Sequence, residues 1–166
     1  MPSRRLGLSL GVDLVPHKTC PLNCVYCECG DTTDLTVHRA EYVNYDDVKA
    51  ELARFLADRP QLDYITFSGA GEPTLFSRIG ELAGWIKQSY PDDRLCLLTN
   101  GVLLGDERLA AELKVLDLVV PSLDAGDEHA YQTINRPCPG LTFQDLVAGL
   151  ATFRAVNPCA MWLEIF

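Results

Sequence analysis

Apolar residues recur along this chain at two periods. Leu8–Leu14, Asp63–Ser68, Arg94–Thr99 and Leu116–Leu123 are short and rich in β-formers, and three of them run into Gly or Asn-Gly turns or end beside Asp. Segments with helical spacing lie between them. Asp46–Leu56 places Val48, Leu52, Phe55 and Leu56 on one face, and Ile79–Ser89 does the same with Ile79, Leu82, Ala83 and Ile86. Glu107–Leu113 and Phe143–Ala155 read as two more helices, and Met161–Phe166 opens a fifth strand. Asp46 and Asp47 suit the positive end of the first helix. Trp85 and Trp162 are expected to pack in the core. Leu116–Leu123 is almost wholly apolar, as a strand covered on both faces should be. This alternation predicts the α/β class, with right-handed βαβ units around a parallel sheet. Nothing divides the 166 residues into two domains. The chain stops inside the apolar run Trp162-Leu-Glu-Ile-Phe166, and such an edge is usually covered. One core domain over 1–166, incomplete at its C-terminus, is the expectation.

The densest chemistry follows the first strand. Cys20, Cys24 and Cys27 are spaced Cys-x3-Cys-x2-Cys, with Tyr26 before the last. Three thiolates do not complete a tetrahedral zinc site, but they can hold three irons of a cubane and leave the fourth open. Cys29 as a fourth ligand, with His17 and His38 nearby, leaves a structural zinc or iron–sulfur site as the alternative. The seven cysteines are odd in number and four of them cluster, which argues for metal binding in a reducing compartment rather than disulfides. Cys96 and Cys159 read as small buried hydrophobes, and Cys138 falls in a loop.

Composition narrows the field further. With 14 Lys and Arg against 23 Asp and Glu the net charge is −9, which repels phosphate backbones and does not support nucleic-acid binding. No apolar run approaches the roughly 20 residues of a membrane span, and the start carries no stretch suited to a signal peptide. A cytoplasmic location is expected.

In parallel α/β architectures, the loops after the strands share the face where ligands bind. Every distinctive motif falls there: the cysteines, then Gly69-Ala70-Gly71-Glu72-Pro73, then Thr99-Asn100-Gly101, then Ser122-Leu123-Asp124. Gly69 and Gly71 permit close backbone approach to a ligand, and Glu72 offers an anionic acceptor for an ammonium group. Ser122 and Asp124, two apart on a strand, would point to one side and suit a ribose diol. Tyr26 offers a flat aromatic surface, and Asn135 and Arg136 are placed to reach a carboxylate. Together these groups suit a ligand with an amino-acid end, a sugar and a base.

Here the chain resembles the radical S-adenosylmethionine (radical SAM) enzymes. Cys20-Pro-Leu-Asn-Cys24-Val-Tyr26-Cys27 looks like their cluster signature, and Ala70-Gly71-Glu72-Pro73 looks like their Gly-Gly-Glu-Pro motif with Ala70 in the first position. Ser68-Gly-Ala-Gly-Glu-Pro-Thr-Leu75 and Pro121-Ser-Leu-Asp-Ala-Gly-Asp127 resemble a subgroup of small radical SAM proteins related to the wyosine-forming tRNA enzymes. The resemblance implies a partial (β/α)6 TIM-barrel-like core. It implies a [4Fe-4S] cluster on Cys20, Cys24 and Cys27, with SAM held by Tyr26, Gly69, Ala70, Gly71, Glu72, Asn100, Ser122, Asp124 and Arg136. Reductive cleavage of SAM to a 5′-deoxyadenosyl radical would follow, fed by an electron donor such as flavodoxin or ferredoxin. The substrate is open: a small molecule, a peptide or a tRNA. The rival from another class is a non-catalytic iron–sulfur or zinc module for electron transfer or assembly.

Overall fold

The computed structural model describes residues 2, 3 and 5–165. In chain order the strands are β1 (Pro2–Ser3), β2 (Gly7–Val12), β3 (Thr19–Cys20), β4 (Asp34–Leu35), β5 (Tyr64–Phe67), β6 (Leu95–Thr99), β7 (Leu118–Pro121) and β8 (Ala160–Met161). The helices are α1 (Tyr45–Leu56), α2 (Ile79–Ser89), α3 (Glu107–Glu112), α4 (Glu128–Ala130) and α5 (Phe143–Val156). A π-helical turn, Tyr131–Asn135, continues α4.

Strands β2, β5, β6, β7 and β8 are parallel, and each pairs with the next in sequence. That order never reverses. A doubly wound sheet reverses at a switch point, whereas sequential addition with helices on one side builds the wall of a barrel. The structure is therefore a partial, TIM-barrel-like α/β core. β1 adds an antiparallel strand beside β2, and β3 with β4 forms a separate two-stranded ribbon inside the cysteine loop.

Helices α1, α3 and α5 each start at a residue whose side chain caps the first turn, whereas Arg78 before α2 makes no such bond. Asn44 accepts from the Asp47 amide at 3.0 Å, Asp106 from the Leu109 amide at 2.9 Å, and Thr142 from the Asp145 amide at 3.1 Å. Between helices and sheet lies the main core, with Ile65, Phe67, Leu95, Leu97 and Val119 from the strands meeting Ile79, Leu82, Ile86, Leu109 and Phe153 from the helices. Alternation sends the intervening strand residues to the concave side. There Tyr64, Cys96, Leu118 and Val120 close over Leu6 as a smaller cluster.

Several sequence expectations need adjustment. The strands are shorter than their apolar runs, because the run past Pro121 belongs to a loop. Ser122 and Asp124 therefore follow β7 rather than sitting on it. Trp85 packs partly buried against the core, but Trp162 is 48% exposed. Trp162 follows the outermost strand and meets Leu6, Leu98 and Val120 on the open concave side, where no further strand among the described residues covers it. Cys96 and Cys159 are buried as expected, and Cys138 is buried too, its amide donating to the Pro21 carbonyl at 2.8 Å. Among the described residues, no helix is long and apolar enough to cross a membrane.

Candidate functional site

The C-terminal ends of the parallel strands surround a cavity of about 240 Å³. Cys20, Cys24, Tyr26 and Cys27 enter it from the loop after β2, and Gly69, Gly71 and Glu72 from the loop after β5. Thr99 and Asn100 enter from the end of β6, and Ser122 and Asp124 from the loop after β7. The four sequence-distant segments do converge. Asn135, on the π-helical turn, and Glu164, beyond β8, complete the wall. Ala70 and Arg136 do not line it, and Arg136 is exposed, with its backbone in the left-handed region at φ +46°.

The three motif sulfurs share a feature invisible in the sequence. Each receives one side-chain nitrogen, and each nitrogen comes from a different part of the fold. Asn100 Nδ2 lies 3.5 Å from Cys20 Sγ, Asn135 Nδ2 lies 3.4 Å from Cys24 Sγ, and Lys18 Nζ lies 3.0 Å from Cys27 Sγ. Among the described residues, no three His, Cys, Asp or Glu side chains are gathered around a single-ion position. A tetrahedral ion with sulfur bonds of about 2.3 Å needs such a gathering, whereas a cubane spreads its thiolates over separate irons. Three soft donors facing one cavity, each with an N–H donor behind it, fit an iron–sulfur cluster. Cys29 does not line the cavity, and His17 and His38 are exposed outside it.

The electrostatics differ among the three. Burial pushes the Cys20 thiol up to about 12, helped by the Glu72 carboxylate. Burial also raises Cys24, against the pull of Asn135 and Tyr26. For Cys27 burial raises too, but the hydrogen bond and charge of Lys18 and the Cys29 bonds outweigh it, and the thiol falls below its ordinary value. Binding of a metal group would have to displace the protons that burial favours on Cys20 and Cys24.

Glu72 has a different place from the one its sequence position suggested. It is only 2% exposed, and its carboxylate holds the ends of two strands together. Oε1 accepts from Thr74 N at 3.1 Å, Thr74 Oγ1 at 2.6 Å and Thr99 Oγ1 at 2.7 Å, and Oε2 accepts from Asn100 N at 2.8 Å. Burial pushes this carboxyl above its usual range, and the donors partly pull it back.

The glycines also answer to the protein itself. A Cβ on Gly71 would sit 2.5 Å from the Thr19 carbonyl oxygen and 2.5 Å from Val15 Cγ2, and one on Gly69 would strike the Asp13 carboxylate. These residues let the loop after β5 lie against the cysteine loop. Ala70 joins the same seam, its carbonyl accepting from Lys18 N at 2.9 Å and its amide donating to Asp13 Oδ2 at 3.1 Å. On the far wall the Tyr26 hydroxyl donates to Asp124, and Asn135 Nδ2 donates to the same hydroxyl at 3.2 Å. Burial, and then that bond to Asp124, raise the Tyr26 phenol.

Two residues here carry no signal in the sequence: Lys18, two positions before the first cysteine, and Glu164, in the apolar run beyond β8. Asn135 and Arg136 are both candidates in the sequence, and only Asn135 faces the site.

A family model described as the radical SAM superfamily matches residues 14–163. The chain is 42% identical over 164 residues to part of a protein of Brachyspira hyodysenteriae named GTPase Obg, covering 99% of this chain and 24% of that protein. It is 37% identical over 153 residues to the UPF0026 protein of Synechocystis sp., covering 92% of this chain and 57% of the relative. The chain therefore spans 24% of the length of the first relative and 57% of the second. Among solved structures, anSMEcpe with bound AdoMet superposes with a TM-score of 0.68 at 24% identity, over 94% of this chain and 43% of that one. That likeness speaks for the fold.

Proposed function

Because the chain belongs to the radical SAM superfamily, we propose that it forms the core of an enzyme that holds a [4Fe-4S] cluster on Cys20, Cys24 and Cys27 and cleaves S-adenosylmethionine reductively. The observation that carries this reading is the meeting of three motif thiols, each backed by a nitrogen donor, with the loops of three other strands in one cavity. When bound and reduced, such a cluster supplies the electron that splits a SAM carbon–sulfur bond, releasing methionine and a 5′-deoxyadenosyl radical that takes hydrogen from the substrate.

The chain's own residues do the holding. Asn100 and Asn135 orient Cys20 and Cys24 through their amides. Glu72 fixes the Asn100 backbone and so aims that amide. Ser122 and Asp124 line the wall opposite, where a hydroxyl and a carboxylate suit the hydroxyls of a ribose. Tyr26, tied to Asp124, closes one side against water. An electron donor of the flavodoxin or ferredoxin kind would serve from outside, and a reducing compartment such as the cytoplasm would protect the cluster. The net charge of −9 disfavours docking of RNA on this chain alone. GTP hydrolysis is not carried over from the Brachyspira relative, since this sequence has no Gly-x4-Gly-Lys-Ser/Thr loop to cradle phosphates.

The full-length protein, reconstituted anaerobically, reduced with dithionite and given SAM, is expected to release 5′-deoxyadenosine and methionine. Cys20→Ala, Cys24→Ala and Cys27→Ala should each abolish release, and Cys29→Ala should not. Absence of release from protein shown to carry a reducible [4Fe-4S] cluster refutes the catalytic reading, and loss of iron in Cys29→Ala points instead to a closed, fully ligated metal module.

A further inference from the structure

The three nitrogens behind the motif sulfurs are not alike. Asn100 and Asn135 bring neutral amides, and Lys18 brings an ammonium. Lys18 is 2% exposed. An ammonium out of water is costly unless something compensates it. Among the described residues no carboxylate forms an ion pair with its Nζ, which instead donates to Cys27 Sγ at 3.0 Å. A single thiol is a poor counter-charge for a buried cation. Three thiolates around a cluster are a good one.

The backbone fixes this lysine with unusual firmness. Its φ is +57°, a conformation that residues with a β-carbon avoid. Its amide donates to the Ala70 carbonyl at 2.9 Å, and its own carbonyl accepts from the Thr33 amide at 3.1 Å and the Asp34 amide at 3.2 Å. These bonds clamp Lys18 between the loop after β5 and the far end of the cysteine loop. Lys18 is also absent from the cavity lining, so it meets Cys27 from the protein side and is not placed to bind SAM.

We propose that Lys18 is a positioning residue that raises the reduction potential of the cluster by holding a fixed positive charge against Cys27. The inference rests on the cluster reading above. One-electron reduction makes a cluster and its thiolates one unit more negative, and a nearby cation stabilises that reduced form more than the oxidised one. Neutral amides at the other two sulfurs act in the same direction but more weakly.

The test is a redox titration of the full-length, cluster-loaded protein without SAM, read by electron paramagnetic resonance, for wild type, Lys18→Arg, Lys18→Gln and Lys18→Met. At a fixed solution potential, Lys18→Gln and Lys18→Met should show a reduced-to-oxidised ratio about tenfold lower, equivalent to about 59 mV for one electron. Lys18→Arg should stay near wild type. Clusters that load fully in the neutral variants and titrate at the wild-type potential overturn the proposal, as does an Arg variant shifted as far as the Gln variant. Loss of the cluster in both neutral variants with retention in Lys18→Arg also supports a requirement for charge. Loss in all three variants makes the role one of side-chain shape and overturns it. Wild-type protein that takes up no cluster refutes the parent reading instead, so the two failures are distinguishable.

Discussion

Glu72 separates two accounts of the loop after β5. If the carboxylate serves mainly to bind a ligand's ammonium, its removal should leave the ligand-free protein as stable as before. The geometry points the other way. In Glu72→Ala, the Thr74 and Asn100 amides lose their acceptor inside the protein, while the Thr74 and Thr99 hydroxyls can rotate to new partners. Each stranded buried amide costs about 1–3 kcal/mol, so losing the acceptor of both costs about 2–6 kcal/mol in total. With a urea m-value of about 2 kcal/mol/M, the midpoint should fall by about 2 M. Glu72→Gln keeps an oxygen for the Thr74 and Thr99 donors but turns its NH2 toward the Asn100 amide, so a smaller loss of about 1–3 kcal/mol is expected. Urea unfolding of metal-free, SAM-free protein decides it. A wild-type midpoint in Glu72→Ala, combined with weakened SAM binding, refutes the brace and restores the ligand role. The pH dependence adds a second check. Burial holds this carboxyl above its ordinary value in the fold, so the native state binds the proton more tightly than the unfolded chain does. Its contribution is then greatest below about 4.3 and declines as pH rises through the raised native value, a decline that Glu72→Gln should remove.

Gly71→Ala forces a Cβ within 2.5 Å of a backbone oxygen that has no room to move, whereas nothing lies within 4 Å of the same atom at Gly126. The first substitution should cost about 1–3 kcal/mol and the second should stay within about 0.5 kcal/mol, as measured by urea midpoints; equal effects would mean the seam between the two loops is loose. Asn135→Ala removes the donor to Cys24 and Tyr26, and should cut SAM-dependent 5′-deoxyadenosine release by about 10–100-fold. Arg136→Ala should leave release unchanged, and a loss there would show that this exposed side chain swings into the site. Arg136→Gly should stabilise the protein by about 1 kcal/mol by relieving the left-handed backbone.

Period and punctuation in the sequence were enough for the class of fold. Ile79, Leu82, Ala83 and Ile86 face the core as their spacing says, and Asp46 and Asp47 lie in the first turn of α1. Such signals are local, so they survive without tertiary context. The motif cysteines and the run Gly69–Pro73 were legible for a related reason: their spacing is itself the chemical requirement. What those residues touch was not legible. Glu72 reads as a free anion along the chain and becomes a buried brace only because Thr99 and Asn100, more than twenty residues later, end the neighbouring strand. Trp162 reads as core and is exposed because burial depends on which strand stands at the edge.

By itself the sequence determined the alternating elements, the three thiols and the face on which they gather, because covalent spacing and side-chain periodicity act over a few residues. Only the tertiary structure decided that Asn135 rather than Arg136 meets a sulfur, and that Lys18 is buried against Cys27. Those contacts are set by packing and hydrogen bonds between segments far apart in the chain, and no local pattern encodes the distance between them.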